Sequence, residues 1–108
     1  MTQTRREKIE SMLADDPTDQ FLRFSLAMEL EKEGRHDESL AQHHGLTRDE
    51  TPYVPAYFMS AQQLARHGRT GDARSVLRDG IEEARRQKNA HAAGEMSEFL
   101  ASLGAAGE

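Results

Sequence analysis

The stretch EKEGRHDESL, Glu31 to Leu40, is echoed thirty-four residues later by ARHGRTGDAR, Ala65 to Arg74, with Gly68-Arg69 standing where Gly34-Arg35 stood. Sliding the chain by 34 residues also superposes Phe24 on Phe58, Ala27 on Ala61 and Leu30 on Leu64. Five identities thus fall within the twelve residues from Phe24 to Arg35, where ordinary composition would supply roughly one. Glycine is the residue that most easily takes the left-handed conformation just past a helix end. A glycine repeated at a fixed interval therefore marks the same helix end written twice, and the chain is built from repeating units.

Working outward from these two turns, every segment reads as helix. β-Branched residues are few, no period-two run occurs, and apolar residues recur three and four apart. Ile9, Met12 and Leu13 form a short stripe that stops at Asp15-Asp16-Pro17, because proline cannot continue the hydrogen-bond ladder. Thr18 or Asp19 can cap a second helix from about Gln20 to Glu33, closed by Gly34. A third helix begins near Asp37 and is expected to be short, since Gly45 weakens it and Pro52 and Pro55 break it. Pro55 suits the first turn of a fourth helix with Tyr57, Ala61 and Leu64 on one face and Gly68 at its end. Thr70 can cap the fifth. There Ala73, Leu77, Ile81 and Ala84 run down one side with Arg78, Glu82 and Arg85 facing out. A last helix from about Ala90 carries Met96, Phe99, Leu100 and Leu103, and Gly104 to Glu108 reads as a frayed tail.

Composition narrows the functions. The 108 residues fit one domain, and 36% hydrophobic with 31% charged residues suits thin stacked layers better than a deep core. Lys and Arg total 14 against 19 Asp and Glu, a net charge of -5 that disfavours nucleic acid. The strip Arg85-Arg86 with Lys88 follows Glu82-Glu83 and reads as the solvated end of a helix. Cysteine is absent, which removes disulfides, thiolate metal sites and cysteine nucleophiles. No segment has the length and apolarity of a secretory signal or membrane span, so a cytoplasmic location is expected.

A 34-residue period with two helices per unit is the signature of tetratricopeptide repeats, and the chain resembles that family over Gln20 to Gln87. The early aromatic slot of the family holds Tyr57 in the second unit but Arg23 in the first. Its Leu-Gly pair is matched by Leu26-Ala27 and more loosely by Ser60-Ala61, and its later aromatic slot by Leu30 and Leu64. The small residue that admits the second helix is Ser39 or Ala73, and the bulky slot four further on is His43 or Leu77. The closing proline is present before the first unit as Pro17, comes one residue late as Pro52, and is missing at Arg85. The resemblance implies an all-α fold, a short α-α superhelical solenoid of two helix pairs with a helix at each end. Its expected parts are an N-terminal helix over 4–15, repeats over 20–53 and 54–87, and a capping helix over 89–104, together one domain spanning 1–108. Such pairs bury only one side each and must stack.

The second helix is apolar on two sides. At about 100° per residue, Leu22, Leu26 and Leu30 line one side, and Phe21, Phe24 and Met28 lie nearly opposite, at the family's groove-facing positions. Phe58, Met59 and Gln62 fill those positions in the second unit. Leaving such side chains in water forfeits roughly 1.5–3 kcal/mol each, so a cover is expected. It can be the chain's own terminal helices, a protein or peptide partner, or a second copy in a homodimer. Members of the family that grip a peptide carboxylate use Lys and Asn in the groove. Here Phe24, Met28, Pro55, Phe58 and Met59 stand there, so no such clamp is expected, and Lys32 and Arg66 read as solvated rim residues.

Chemistry finds little support. His43 and His44 point about 100° apart on a helix and cannot share an ion; His36, His67 and His91 add no i, i+4 pair, and Asp49 is loosely placed. No metal or cofactor is expected, and His43 is the histidine expected to be buried. Ser39, Ser60 and Ser75 lack a nucleophile elbow, and Glu82-Glu83 reads as a solvated face, so no enzyme is expected. The reading is a non-catalytic protein- or peptide-binding module acting through Phe21, Phe24, Met28, Phe58, Met59 and Gln62. A self-associating structural protein with the same face buried in a homodimer is the alternative.

Overall fold

Gly34 and Gly68 both adopt φ +79° in the computed structural model, which describes residues 2–107, with side chains to residue 104. Around each glycine the same two bonds close the preceding helix. Arg35 N–H donates to the Leu30 carbonyl at 2.9 Å and Gly34 N–H to that of Glu31 at 3.0 Å. Arg69 N–H donates to Leu64 at 2.9 Å and Gly68 N–H to Ala65 at 3.1 Å. This paired pattern, with the residue past the helix in the left-handed region, satisfies carbonyls the helix leaves open. The arginine after each glycine then pairs forward in both turns, Arg35 with Glu38 at 2.6 Å and Arg69 with Asp72 at 2.9 Å. The doubled sequence is a doubled structure in the bonds that close its helices.

Six helices and no strand form among the described residues: α1 Arg5–Asp15, α2 Gln20–Lys32, α3 His36–Thr47, α4 Val54–Arg66, α5 Thr70–Arg86 and α6 Ala90–Gly107. They gather into two compact units, residues 1–51 with α1 to α3 and residues 52–108 with α4 to α6. In the first, α2 packs on both α1 and α3; in the second, α5 packs on α4 and α6.

Local chemistry explains the helix starts. Thr4 and Glu7 form a reciprocal capping box at α1, with Oγ1 accepting the Glu7 N–H at 3.1 Å. Asp19, rather than Thr18, caps α2 by accepting the Leu22 N–H at 2.8 Å, and Pro55 sits in the first turn of α4 as expected. Thr70 does not cap α5: it is already helical, and Arg69 holds the cap position without a side-chain bond. The glycine turn leaves no room for a separate capping residue, since Arg69 must both close α4 and open α5. α3 is longer than expected and carries Gly45 in its interior. The frayed tail expected from Gly104 is helical through Gly107, and Glu108 lies outside the described residues.

Burial follows the expected stripes in the second unit. Tyr57, Ala61 and Leu64 of α4 and Ala73, Leu77, Ile81 and Ala84 of α5 are all buried, while Arg78, Glu82 and Arg85 are exposed. The first unit is less complete. Ile9, Ala27, Leu30 and Leu46 are buried, Leu13, Leu22 and Leu26 are half-buried, and Met12 is 49% exposed.

Candidate functional site

The groove-position residues of the first unit all come from α2, and the structure treats them differently. Phe21, in the first turn, is 65% exposed. Phe24 and Met28 are half-buried. The Phe24 ring meets His43 of α3 edge-on, with centroids 5.5 Å apart and planes at 63°, so part of its surface is taken up within its own helix pair.

His43 is fully buried, as its slot in the repeat implies, and neither ring nitrogen has a hydrogen-bond partner among the described residues. Burial pushes its pKa down to about 4, against the opposing pull of the Glu31 carboxylate. The imidazole is therefore neutral at pH 7 and acts as a packing group beside Phe24. Its neighbour His44 is exposed, so the two diverge as their helical spacing requires. His36 pairs with Glu31, and His91 with Glu95 at 3.4 Å.

Asp49, which looked loosely placed, is fixed. Arg23 donates to both its carboxylate oxygens at 2.6 and 3.1 Å, and Gln20 Nε2 donates to Oδ2 at 2.9 Å and to the Thr51 carbonyl at 2.8 Å. The Arg23 guanidinium, followed by the Gln20 amide, holds the Asp49 carboxyl below its ordinary range. This ties the chain beyond α3 back to the start of α2. The arginine in an aromatic slot was visible in the sequence, but its partner, 26 residues away, was not.

In the second unit Phe58, Met59 and Gln62 of α4 are half-buried. The Phe58 ring lies on Phe99 of α6, centroids 5.9 Å apart and tilted by 58°. The last helix thus covers part of the expected face within its own unit. Buried Tyr57 reaches α5 at Gly80, where a Cβ would come within 2.6 Å of the Tyr57 Cβ and 2.7 Å of the Met96 Sδ. Only glycine lets α4, α5 and α6 approach this closely.

The fold has solved counterparts. The chain is similar to the solution structure of a tetratricopeptide repeat domain protein from Salinibacter ruber, with a TM-score of 0.75 and 29% identity over 81% of this chain and 88% of that one. It is also similar to a protein from Bordetella parapertussis, with a TM-score of 0.78 and 26% identity over 95% of this chain and 90% of that one. This is a tetratricopeptide-like helical repeat. No family model and no curated protein sequence matches it.

Within this tetratricopeptide-like frame the slots behave as the family pattern implies. Ser39 and Ala73, where the second helix of each pair must come close, are both fully buried, and the Ser39 hydroxyl donates to the Ala27 carbonyl at 2.6 Å. Lys32 and Arg66 are exposed. No helix among the described residues is long and apolar enough to cross a membrane.

Proposed function

We propose that this tetratricopeptide-like chain is a non-catalytic, cytoplasmic protein- or peptide-binding module. Its contact residues are Phe21, Phe24 and Met28 in the first unit and Phe58, Met59 and Gln62 in the second. One observation carries the reading: Phe21 stands 65% exposed on α2, in line with half-buried Met28. An aromatic side chain left this open forfeits roughly 1.5–3 kcal/mol that a partner recovers by covering it. The similarity to a tetratricopeptide repeat domain protein supports the same class of function, since helical repeats of this kind act by presenting side chains to other proteins.

The test is comparative capture. Wild-type protein and Phe21→Glu, both immobilised at equal helicity, are exposed to extract of the source cell. A partner held by the first and lost from the second supports the reading; identical captures count against this face. Sedimentation across a dilution series addresses the alternative, because a monomer mass at every concentration removes the homodimer.

A further inference from the structure

The two units differ in charge. Between residues 1 and 51 seven Lys and Arg stand against twelve Asp and Glu, net -5, whereas between 52 and 108 the numbers are seven and seven. The whole net charge of the protein therefore belongs to the first unit. Among the described residues the first unit also holds both exposed large hydrophobic residues, Met12 at 49% and Phe21 at 65%. Met12 lies in the last turn of α1 and Phe21 in the first turn of α2, so both stand at the same end of one helical hairpin. The turn between them reads Asp15-Asp16-Pro17-Thr18-Asp19.

These aspartates are not balanced from within. Five of the unit's seven cations, Arg5, Arg6, Arg23, Lys32 and Arg35, have a carboxylate partner elsewhere, on Glu29, Glu10 and Glu33, Asp49, Glu29, and Glu38 respectively, and the other two, Lys8 and Arg48, pair with none of the three aspartates. Asp15, Asp16 and Asp19 have no cation within 4.0 Å among the described residues. Asp19 directs one oxygen to the Leu22 amide. Asp15 and Asp16 meet the C-terminal end of α1, whose last turn has no basic residue. The negative end of a helix dipole prefers a cation there, so the field of the backbone and that of the side chains add.

We infer that the α1–α2 turn, with exposed Phe21 at the start of α2, docks a basic polypeptide segment that sets an apolar anchor against Phe21 and Lys or Arg beside Asp15 and Asp16. The inference rests on the binding function proposed above and specifies the chemistry of the partner. Complementarity selects this occupant. A neutral apolar segment covering Phe21 would desolvate carboxylates and leave them unpaired, while a basic one supplies their counter-charge. A second copy meeting this face with its own would bring like charge against like charge.

The test is selection of a phage-displayed random-peptide library on the full chain, followed by anisotropy measurements with the enriched peptides. Expected are peptides pairing large apolar residues with Lys or Arg, bound more weakly as salt rises. Phe21→Ser should weaken them by about tenfold, as loss of a central aromatic anchor does. Asp15→Asn with Asp16→Asn should weaken them by roughly three- to tenfold and flatten the salt dependence. All three side chains are exposed, so the variants keep the helicity of the parent. Enriched peptides without basic bias, indifferent to salt and to the aspartate changes, overturn the inference and leave peptide binding standing. No enrichment over a bare support overturns both. A dimer that dissociates on Phe21→Ser assigns the face to a second copy and overturns the inference as well.

Discussion

Position for position, the two units solve the same packing problem with different residues. Where the first unit has Arg23 on α2 and Leu46 on α3, the second has Tyr57 on α4 and Gly80 on α5. In the second, bulk comes from the aromatic ring and glycine makes way for it. In the first, the leucine is fully buried and the α2 slot holds an arginine that binds Asp49. One turn earlier, buried His43 in the first unit stands where buried Leu77 stands in the second. The second unit is thus apolar at these two slots and electrically neutral overall, although it also buries Ser60, Gln63, Arg74 and Glu83. The first is polar at the same slots, acidic outside and open at Phe21. The difference teaches that bulk can be traded between the helices of a pair while the polarity of a slot varies from one repeat to the next.

Breaking that asymmetry at His43 should give the largest effect. A neutral imidazole costs nothing to keep above its unfolded pKa. As the pH falls from about 6.5 toward the folded pKa of about 4, the unfolded chain takes up a proton that the folded one refuses. Wild-type protein should lose up to about 3 kcal/mol over this window relative to His43→Leu, seen in urea melts at pH 7 and pH 4. The leucine variant copies the second unit and should also gain about 1 kcal/mol at pH 7, because two unpartnered ring nitrogens leave the interior. Equal pH slopes in the two proteins would show that His43 is hydrated in solution.

Smaller steps sharpen the contrast. Gly80→Ala should cost about 2 kcal/mol in a denaturant melt, since the new methyl meets Tyr57 and Met96 and the whole second unit must shift. Lys88 closes α5 in the same two-bond pattern as the two glycines, with Asn89 N–H to Ala84 at 2.8 Å and Lys88 N–H to Arg85 at 3.0 Å, but at φ 62° with a side chain. Lys88→Gly should therefore stabilise by about 1 kcal/mol, and Gly34→Ala should destabilise by about the same. Thermal melts of this pair compare the turns directly. Phe21→Ser should change stability by no more than about 0.5 kcal/mol, because the ring has little of the core to lose. A larger loss would make Phe21 structural.

Much of this was legible beforehand. The paired glycines, the stripe of Ala73, Leu77, Ile81 and Ala84, and the burial of His43 all follow from local spacing and repeat register. The α1 stripe was legible in part, because Ile9 and Leu13 turn inward while Met12, at the edge of the same arc, does not. Asp15 and Asp16 were readable as a helix stop but not as uncompensated charge, since that depends on where every neighbouring cation goes. The boundary at residue 51 divides the net charge of -5 into a strongly acidic unit and a neutral one, a division that the overall charge hides.

The sequence alone determined six helical segments, the turns at Gly34 and Gly68 and the repeat between them, because helix periodicity and left-handed glycine are properties of a few consecutive residues. Tertiary structure decided which apolar side chains are covered. Phe24 finds His43, Phe58 finds Phe99, and Phe21 finds no such cover, because burial is conferred by segments distant along the chain and no stretch carries that information by itself.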